Sequence, residues 1–205
     1  PEIFAPTDIV AEAIGLSSTT VELGEATAHD IMGIASVTEH PSRFFVLGET
    51  TITWTATDTS GNSASATQTI TIVDTTSPSI TAPGSITMEA TSADSNIVIL
   101  GNPVSSDLVD IPSISNNAPD LFPLGETIVT WTATDTSGNS ASATQIITIV
   151  DTTYPELIMP EDIMIGAFSL EKQVEIGDAY ANDLAGSILT ITNDAPNTFP
   201  LGDTI

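Results

Sequence analysis

The sequence predicts an all-β protein built from tandem two-layer β domains. Two long segments alternate strictly between apolar and threonine side chains, and no segment keeps a helical period over about ten residues. The chain also repeats itself with a period of 77 residues, as in Trp54 and Trp131 (131 − 54 = 77). Short strands without a covering helix must bury their faces on one another, so each repeat is expected to be a sandwich or a barrel.

The repeat sets the expected domain boundaries. We predict a first domain at residues 1–77, a second at residues 78–154, and a third, incomplete domain at residues 155–205. The third copy lacks the segment that would form its last two strands. Either the chain continues with that segment, or a partner supplies the missing strands.

The second half of each copy contains the clearest strands. Residues 46–76 and 123–153 agree at 27 of 31 positions, whereas the 45 residues before each of them agree at only 15. Residues 51–58 place Trp54 and its apolar neighbours on one face and threonines on the other, as in a half-buried strand. Residues 62–74 alternate in the same way.

Side-chain parity fixes how these two strands pair. Apolar faces match in an antiparallel hairpin if the paired residue numbers have an even sum, and a sum of 120 places Asp58 opposite Asn62. The loop between them then has three residues and ends at Gly61, which suits a type I turn closed by a left-handed glycine. The same register pairs Thr51 with Thr69 on the outer face.

Copy two supports this register through a paired change. The positions equivalent to Thr51 and Thr69 are both isoleucine, Ile128 and Ile146. Cross-strand neighbours on one face interact directly, so we expect a small apolar patch on the outer face of copy two.

The first half of each copy predicts only short strands. In copy one they are expected at residues 9–13, 21–23 and 35–38, between residues that favour turns. Gln68 falls on the apolar face of the second hairpin strand, and the pattern offers no reason for a polar side chain there.

Composition excludes several kinds of partner. The chain has 2 Lys+Arg against 27 Asp+Glu, a net charge of −25, so it lacks the basic surface that nucleic acids and anionic membranes require. No apolar stretch approaches the roughly 20 residues of a membrane helix, and we expect no membrane insertion in this segment. The chain has no cysteine, so packing or bound cations must replace disulfides.

The hairpin segments carry a family resemblance. Residues 44–78 and 121–155 share the string F-x-x-G-x-T-x-(V/I)-x-W-x-A-x-D-x-x-G-N, which resembles the hyalin repeat (HYR). The resemblance implies tandem immunoglobulin-like sandwiches, similar to fibronectin type III modules, in extracellular adhesion and surface proteins. Such repeats also occur in archaeal and bacterial surface-layer, filament and adhesin proteins. The family commonly has a cysteine where this chain has Ala66 and Ala143, so a disulfide at that position is absent here.

Catalytic residues are not expected. His29 and His40 are the only histidines, and the equivalent residues of copy two, Ser106 and Asn117, cannot replace them as bases. No nucleophile motif, phosphate-binding loop or zinc-protease motif occurs. We therefore predict that the protein is not an enzyme and holds no organic cofactor.

A hard cation at the domain junctions is the stronger prediction. In a sandwich of this kind the last hairpin loop faces the preceding domain, so Asp74 should approach residues 135–139 of copy two, with Asp107 at the same end. Carboxylate and amide oxygens without nitrogen or sulfur ligands suit Ca²⁺. Asp151 and Asp183 would serve the next junction. The candidate metal ligands are Asp30, Asp58, Asn62, Asp74, Asp107, Asp135, Asn139, Asp151 and Asp183.

Two simpler explanations compete with calcium. The hairpin aspartates can accept hydrogen bonds from turn amides, and Asp74 can end a strand before a short linker. High environmental salt can screen the repulsion among the carboxylates without any specific site. Both alternatives stay open at the level of sequence.

The sequence therefore predicts a structural extracellular protein, part of a cell-surface stalk, filament or S-layer lattice. Its acidic surface would attract inorganic cations, and its expected partners are neighbouring copies of itself or other surface proteins. One alternative is an adhesin that binds a glycan or protein through the variable half, where Phe4, Phe44 and His40 distinguish copy one. The other is a filament subunit that completes its third copy by strand exchange.

Overall fold

The computed structural model describes residues 1–38, 43–166, 168–184, 186 and 190–203. Within these ranges every regular element is a β-strand, which confirms the all-β class. The same residues contain no helix long and apolar enough to cross a membrane.

The chain forms two compact units. Unit 1 comprises Pro1–Pro83, Asn102–Asn117 and Thr130–Thr144, and unit 2 comprises Gly84–Gly101, Ala118–Val129 and Gln145–Ile205. Unit 1 therefore contains copy one together with residues 78–83, 102–117 and 130–144 of copy two, which include its last hairpin turn, and the junction between these two copies lies inside it. The domain boundaries 1–77, 78–154 and 155–205 stay a prediction.

The described residues form eighteen strands. Those of copy one are β1 Glu2–Phe4, β2 Ile9–Glu12, β3 Thr19–Thr20, β4 Thr27–His29, β5 Ile34–Thr38, β6 Phe44–Phe45, β7 Gly48–Asp58 and β8 Ser63–Val73. Those of copy two are β9 Ser79–Thr81, β10 Ile86–Glu89, β11 Val104–Ser106, β12 Ser113–Asn116, β13 Gly125–Thr134 and β14 Ser140–Val150. Those of copy three are β15 Glu156–Ile158, β16 Glu171–Lys172, β17 Tyr180–Asn182 and β18 Phe199–Pro200.

Copy one is a two-layer sandwich. One layer is a four-stranded sheet in the order β2-β8-β7-β5, in which β2 runs parallel to β8 and the other pairs are antiparallel. The antiparallel pairs β1-β4 and β3-β6 form the second layer, and β1 lies against β7 and β8. This arrangement confirms the predicted immunoglobulin-like sandwich.

The hairpin of copy one has the predicted register. Every pair from Gly48↔Ile72 to Thr57↔Ser63 sums to 120, and Thr51 pairs with Thr69. Asp58 N donates to Asn62 O at 2.9 Å, and the turn closes at Gly61 with φ +87°. β7 begins three residues earlier than predicted, because the chain turns at Gly48 (φ +102°) and is extended from there.

The inward face of this hairpin forms the core. Ile52, Trp54, Ala56, Ile70 and Ile72 are at most 3% exposed, which confirms Trp54 as a core residue. They pack with buried apolar residues of the second layer, including Phe45 and Leu23.

The strand predicted at residues 21–23 is absent. The chain instead forms β3 and β4 on either side of this segment, while Val21 and Leu23 remain buried. Val21 N donates to Arg43 O, which continues the register of the β3-β6 pair by one residue, and Leu23 O accepts a bond from Gln68.

Copy two repeats the four-stranded sheet, in the order β10-β14-β13-β12. The two isoleucines of the paired change, Ile128 and Ile146, are 57% and 39% exposed, so both lie on the outer surface as predicted. In copy three the strands form two antiparallel pairs, β15-β17 and β16-β18, and no described residue of 155–205 is buried.

Candidate functional site: the junction in unit 1

The linker after β8 is held by one carboxylate of copy one. Glu12 stands at the end of β2, and its Oε1 accepts a bond from Thr75 N at 2.7 Å. The hydroxyls of Thr75 and Thr76 donate to the same carboxylate at 2.9 and 3.0 Å. The Thr75 amide and hydroxyl bonds hold the pKa of Glu12 below its usual value, because they favour the ionised form.

Asp74 joins this linker to the hairpin turn of copy two. Its Oδ2 accepts a bond from the Ser137 hydroxyl at 3.2 Å, and its backbone carbonyl accepts one from Asn139 Nδ2 at 3.1 Å. Its Oδ1 accepts the Thr76 amide at 3.2 Å. Asp74 is only 7% exposed, so these bonds form in a site largely shielded from water.

An apolar contact adds to these polar ones. Val109, in the turn after β11, packs against the core cluster of copy one. It borders a cavity of about 260 Å³ whose lining includes Ala13, Leu16, Phe45 and Leu47. A turn of copy two thus rests on the end of the sandwich of copy one.

Asp110 ties this turn to the hairpin beside it. Its Oδ2 accepts bonds from the amide, at 2.7 Å, and from the hydroxyl of Thr136. In copy one the equivalent Thr59 bonds instead to the backbone carbonyls of Met32 and Gly33. The same two loops are therefore connected in both copies, through different acceptors.

The hairpin aspartates hold their own turns. Asp58 Oδ1 accepts the amides of Ser60 and Asn62 at 2.8 and 2.9 Å, and its Oδ2 accepts Asn62 Nδ2 at 2.8 Å. The bond from the Asn62 side chain is the main reason why the pKa of Asp58 is lowered. At Asp135, burial works to raise the pKa, but bonds from Asn139 and from turn amides outweigh it and lower the pKa.

The aspartates after β4 and β11 shape two similar turns. Asp30 Oδ1 accepts the amide of Met32, and Asp107 Oδ1 accepts the amide of Val109, both at 2.8 Å. Each is an Asx-turn that presents the apolar residue two positions later.

The two candidates for the next junction differ from each other. Asp151 Oδ1 accepts the amide and hydroxyl of Thr153 at 3.1 and 2.6 Å. Asp183 Oδ1 is buried without a hydrogen bond, a condition that it shares, within the described part of the chain, with Asp110 Oδ1.

The structure brings together only part of the predicted ligand set. Asp74 lies against Ser137 and Asn139, and Asn139 also binds Asp135. Across residues 1–38, 43–166, 168–184, 186 and 190–203, no three His, Asp or Glu side chains form a group that could hold a metal ion. Most oxygens of the predicted set already accept hydrogen bonds from the protein.

Sequence reasoning missed the residues that fix the linker and the core. Glu89 repeats the linker contact of Glu12, since it accepts the Thr152 amide and hydroxyl at 2.7 and 2.9 Å. Gln68 and Gln145 occupy equivalent core positions. Glu12 and Glu89 are 77 residues apart (89 − 12 = 77), and so are Gln68 and Gln145 (145 − 68 = 77). The comparison of the two copies therefore already showed that both positions keep their residue type.

The fold and this junction define a class of protein: consecutive immunoglobulin-like sandwiches joined by a short, hydrogen-bonded linker. The family model of the HYR domain matches residues 1–72 and 73–149. The chain therefore belongs to the HYR domain family, which confirms the resemblance seen in the hairpin strings.

Two relatives named hyalin match the whole chain. The protein of Strongylocentrotus purpuratus is 35% identical over 230 residues, covering 100% of this chain and 19% of its own length. That of Lytechinus variegatus is 34% identical over 231 residues, covering 100% of this chain and 42% of its own length. The chain thus spans less than half of either relative.

A solved structure of Sidekick-1 immunoglobulin domains 1–5 is 14% identical, with a TM-score of 0.38, over 77% of this chain and 40% of that one. The matched family and the two hyalin relatives are of a structural or adhesion type and not families of enzymes.

Proposed function

We propose that this chain is a spacer segment of an extracellular structural protein, in a stalk, a filament or a surface lattice. Its partners would be further copies of the same module and other surface proteins. The observation that carries the proposal is the junction of unit 1, where Glu12 holds the linker from one side and Ser137 and Asn139 hold Asp74 from the other. A linker fixed on both sides keeps successive modules in a set orientation, which is what a spacer requires.

The number of contacts makes this junction more than a tether. The bonds from Ser137 and Asn139 to Asp74 form in a partly buried site, and the apolar contact of Val109 adds to them. In a flexible linker the threonine amides would be hydrogen-bonded to water. Such linkers are rich in glycine and serine, whereas this one is Asp-Thr-Thr-Ser-Pro.

The junction can be tested with matched hairpin variants. Asn139→Ala removes bonds to Asp135 and to Asp74, whereas Asn62→Ala removes the same hairpin bonds in copy one without touching a linker. We expect small-angle X-ray scattering to show a broader distribution of dimensions for Asn139→Ala combined with Ser137→Ala than for Asn62→Ala. Equal distributions would contradict the proposal.

Calcium is a finer part of the same proposal. Two observations support it: the net charge of −25, and the buried Oδ1 atoms of Asp110 and Asp183, which accept no hydrogen bond. A divalent cation would supply the missing partner and reduce repulsion among the carboxylates. The nine oxygen-bearing residues named from the sequence, which include Asp183 but not Asp110, remain the candidate ligands.

Calcium has to be separated from general screening by salt. We expect a higher thermal midpoint with Ca²⁺ than with a chelator at the same ionic strength, and a smaller effect after Asp183→Asn. Superimposable unfolding curves with Ca²⁺ and with chelator would contradict the calcium proposal. The hydrogen bonds and the apolar contact of the junction would then be what holds the linker.

Exposed aromatic residues favour a second candidate function, adhesion to a glycan or a protein. Phe4 and Phe44 are 58% and 66% exposed, and copy two has Thr81 and Leu121 at these positions. His40, the third residue of this set, lies outside the described residues. Binding on a glycan or protein array that is lost in Phe4→Ser or Phe44→Ser would support this function, and unchanged binding would oppose it.

Strand exchange through copy three is a third candidate. It is supported by the exposure of apolar side chains such as Leu157, Met159 and Leu170, which are 54%, 71% and 79% exposed. Oligomers that form with rising concentration, and disappear when a copy of residues 129–154 is added after Ile205, would support exchange. A monomer at all concentrations would contradict it.

A further inference from the structure

The turn of copy two that rests on copy one has an equivalent in copy one itself. The apolar side chains at the tip of that equivalent turn are exposed to solvent. In copy two, Asp107 caps the turn and Val109 packs on the end of the preceding sandwich. In copy one, Asp30 caps the same turn with the same 2.8 Å bond, but Ile31 and Met32 are 98% and 71% exposed. These two adjacent side chains form a small exposed apolar patch at the tip of the turn.

The contact of Val109 with copy one shows which kind of surface can cover the tip of such a turn. The cavity beside Val109 is lined on the side of copy one by Gly15, Leu16 and the hydroxyl residues that follow, with Leu47 opposite, and copy one contributes no charged side chain to this lining. In a chain with a net charge of −25, a cavity to which copy one contributes no charged side chain avoids part of the repulsion that acts elsewhere on the surface.

The turn is also rigid enough to dock. Gly33 N donates to Asp30 O at 3.3 Å, and the Thr59 hydroxyl donates to Met32 O at 3.1 Å, so the hairpin beside it supports the tip. In copy two the bonds of Thr136 to Asp110 supply the same support. The two tips thus have the same turn, although Asp30 also pairs with the Pro1 amino group at 3.0 Å. In the second tip only Val109 is packed on a sandwich end, since Leu108, the equivalent of Ile31, is 59% exposed.

We propose that Met32 forms a docking tip for the apolar cavity at the end of another module of this type, which covers Met32 as copy one covers Val109. This deepens the proposed function and rests on it, since both require the junction of unit 1 to be closed in solution. The partner that covers the docking tip is another module, through the residues equivalent to Ala13, Leu16, Phe45 and Leu47. It is not a glycan or a membrane.

Methionine oxidation provides a direct readout. The chain has four methionines, and Met164 at 100% exposure is an internal standard for full reactivity. In the natural chain Met32 should react with hydrogen peroxide nearly as fast as Met164, measured by peptide mass spectrometry. A Val109→Met variant should react at least about tenfold more slowly at position 109, because oxidation there needs local opening of the contact.

The decisive chain carries a further copy of residues 1–77 directly before Pro1, so that the linker sequence is the natural one. The leading copy bears Met32→Leu, which leaves one Met32 as the reporter. We expect this Met32 to react at least about tenfold more slowly than in the natural chain. Leu47→Asp in the leading copy should restore fast oxidation, while circular dichroism and tryptophan fluorescence verify that all variants are folded.

The outcomes separate the two proposals. If Val109→Met is protected but Met32 of the extended chain reacts like Met164, the docking tip is wrong and the spacer stands. If Val109→Met also reacts like Met164, the junction of unit 1 is open in solution and the docking tip and the spacer both fail. Slow oxidation of Met32 that Leu47→Asp does not reverse would also overturn the docking tip, because the protection would then come from elsewhere.

Discussion

A single buried amide orders the centre of copy one. Gln68 is fully buried, and its Nε2 donates to Thr7 O at 2.7 Å and to Leu23 O at 3.0 Å. Its Oε1 accepts Trp54 Nε1 at 3.2 Å. One side chain thus satisfies the core tryptophan and two backbone carbonyls that lie outside any strand. In copy two, Gln145 donates to Gly84 O and Leu100 O, 77 residues further along in each case.

Replacement of this amide by an apolar side chain should be strongly destabilising. Gln68→Leu leaves two buried polar groups, Trp54 Nε1 and Leu23 O, without this partner, at about 1 to 3 kcal/mol each. We therefore expect a loss of about 2 to 6 kcal/mol in the free energy of unfolding measured with urea. Thr67→Val, on the exposed face of the same strand, should change it by less than about 0.5 kcal/mol. A cost below about 1 kcal/mol for Gln68→Leu would mean that water replaces the amide.

At the scale of elements, the linker belongs to the sandwich before it. Ala13 N continues the pairing with Val73 O at 2.7 Å, and Glu12 then binds the two threonines that follow β8. The same sequence of contacts recurs at Ala90 and Glu89. Because the carboxylate is fixed on β2, which is paired in parallel with β8, the direction of the chain leaving the sheet is set by the sheet itself.

Loss of the Glu12 carboxylate should free the first linker only. We expect Glu12→Ala to increase amide hydrogen exchange at Thr75, because the bond from its amide to Glu12 is removed. Thr152, bound to Glu89, should be unaffected and serves as the internal control, and Glu89→Ala should give the reverse pattern. Exchange at Thr75 that does not change in Glu12→Ala would show that other contacts hold the linker.

The same contact should weaken in acid. The pKa of Glu12 is lowered on folding, chiefly by the Thr75 amide, so its stabilising contribution is complete above the ordinary value of about 4.5. It is lost as the pH falls through the lowered pKa of the folded state. The Thr75 amide resonance should therefore titrate with a midpoint below about 4.5, and this titration should be absent in Glu12→Gln.

At the scale of the whole molecule, charge is the main opposing factor. The chain has 27 carboxylates against two cationic side chains, of which Arg43 pairs with Glu22 at 3.4 Å. Like charges that remain within a Debye length repel one another and favour less compact states. We therefore expect the ionic strength of the solution, and not only individual contacts, to affect the thermal stability of the protein.

Salt alone should raise the thermal midpoint. The Debye length falls from about 30 Å at 0.01 M to about 8 Å at 0.15 M, so we expect a clear increase in the midpoint over this range of NaCl. Scanning calorimetry at pH 7 would measure it. A midpoint that is independent of NaCl would indicate that the carboxylates are already neutralised by bound ions or are too far apart to interact.

Local pattern was enough to predict part of this protein. The alternation of residues 51–58, the three-residue turn and the paired isoleucines of copy two gave the hairpin register, because side-chain parity and turn geometry are local properties. The HYR resemblance followed from the same segment. The short strands were predicted less well, as residues 21–23 show, because strands of two or three residues depend on neighbours distant in sequence.

The sequence by itself determined the repeat, the all-β class, the hairpin and the excess of negative charge, since each follows from spacing or composition. Only the tertiary structure decided why Gln68 is buried, which residue holds the linker, and that Val109 covers the end of copy one while Met32 stays exposed. The physical reason is that a hydrogen bond or an apolar contact between residues about 60 positions apart, such as Glu12 and Thr75, requires the folded chain to bring them together.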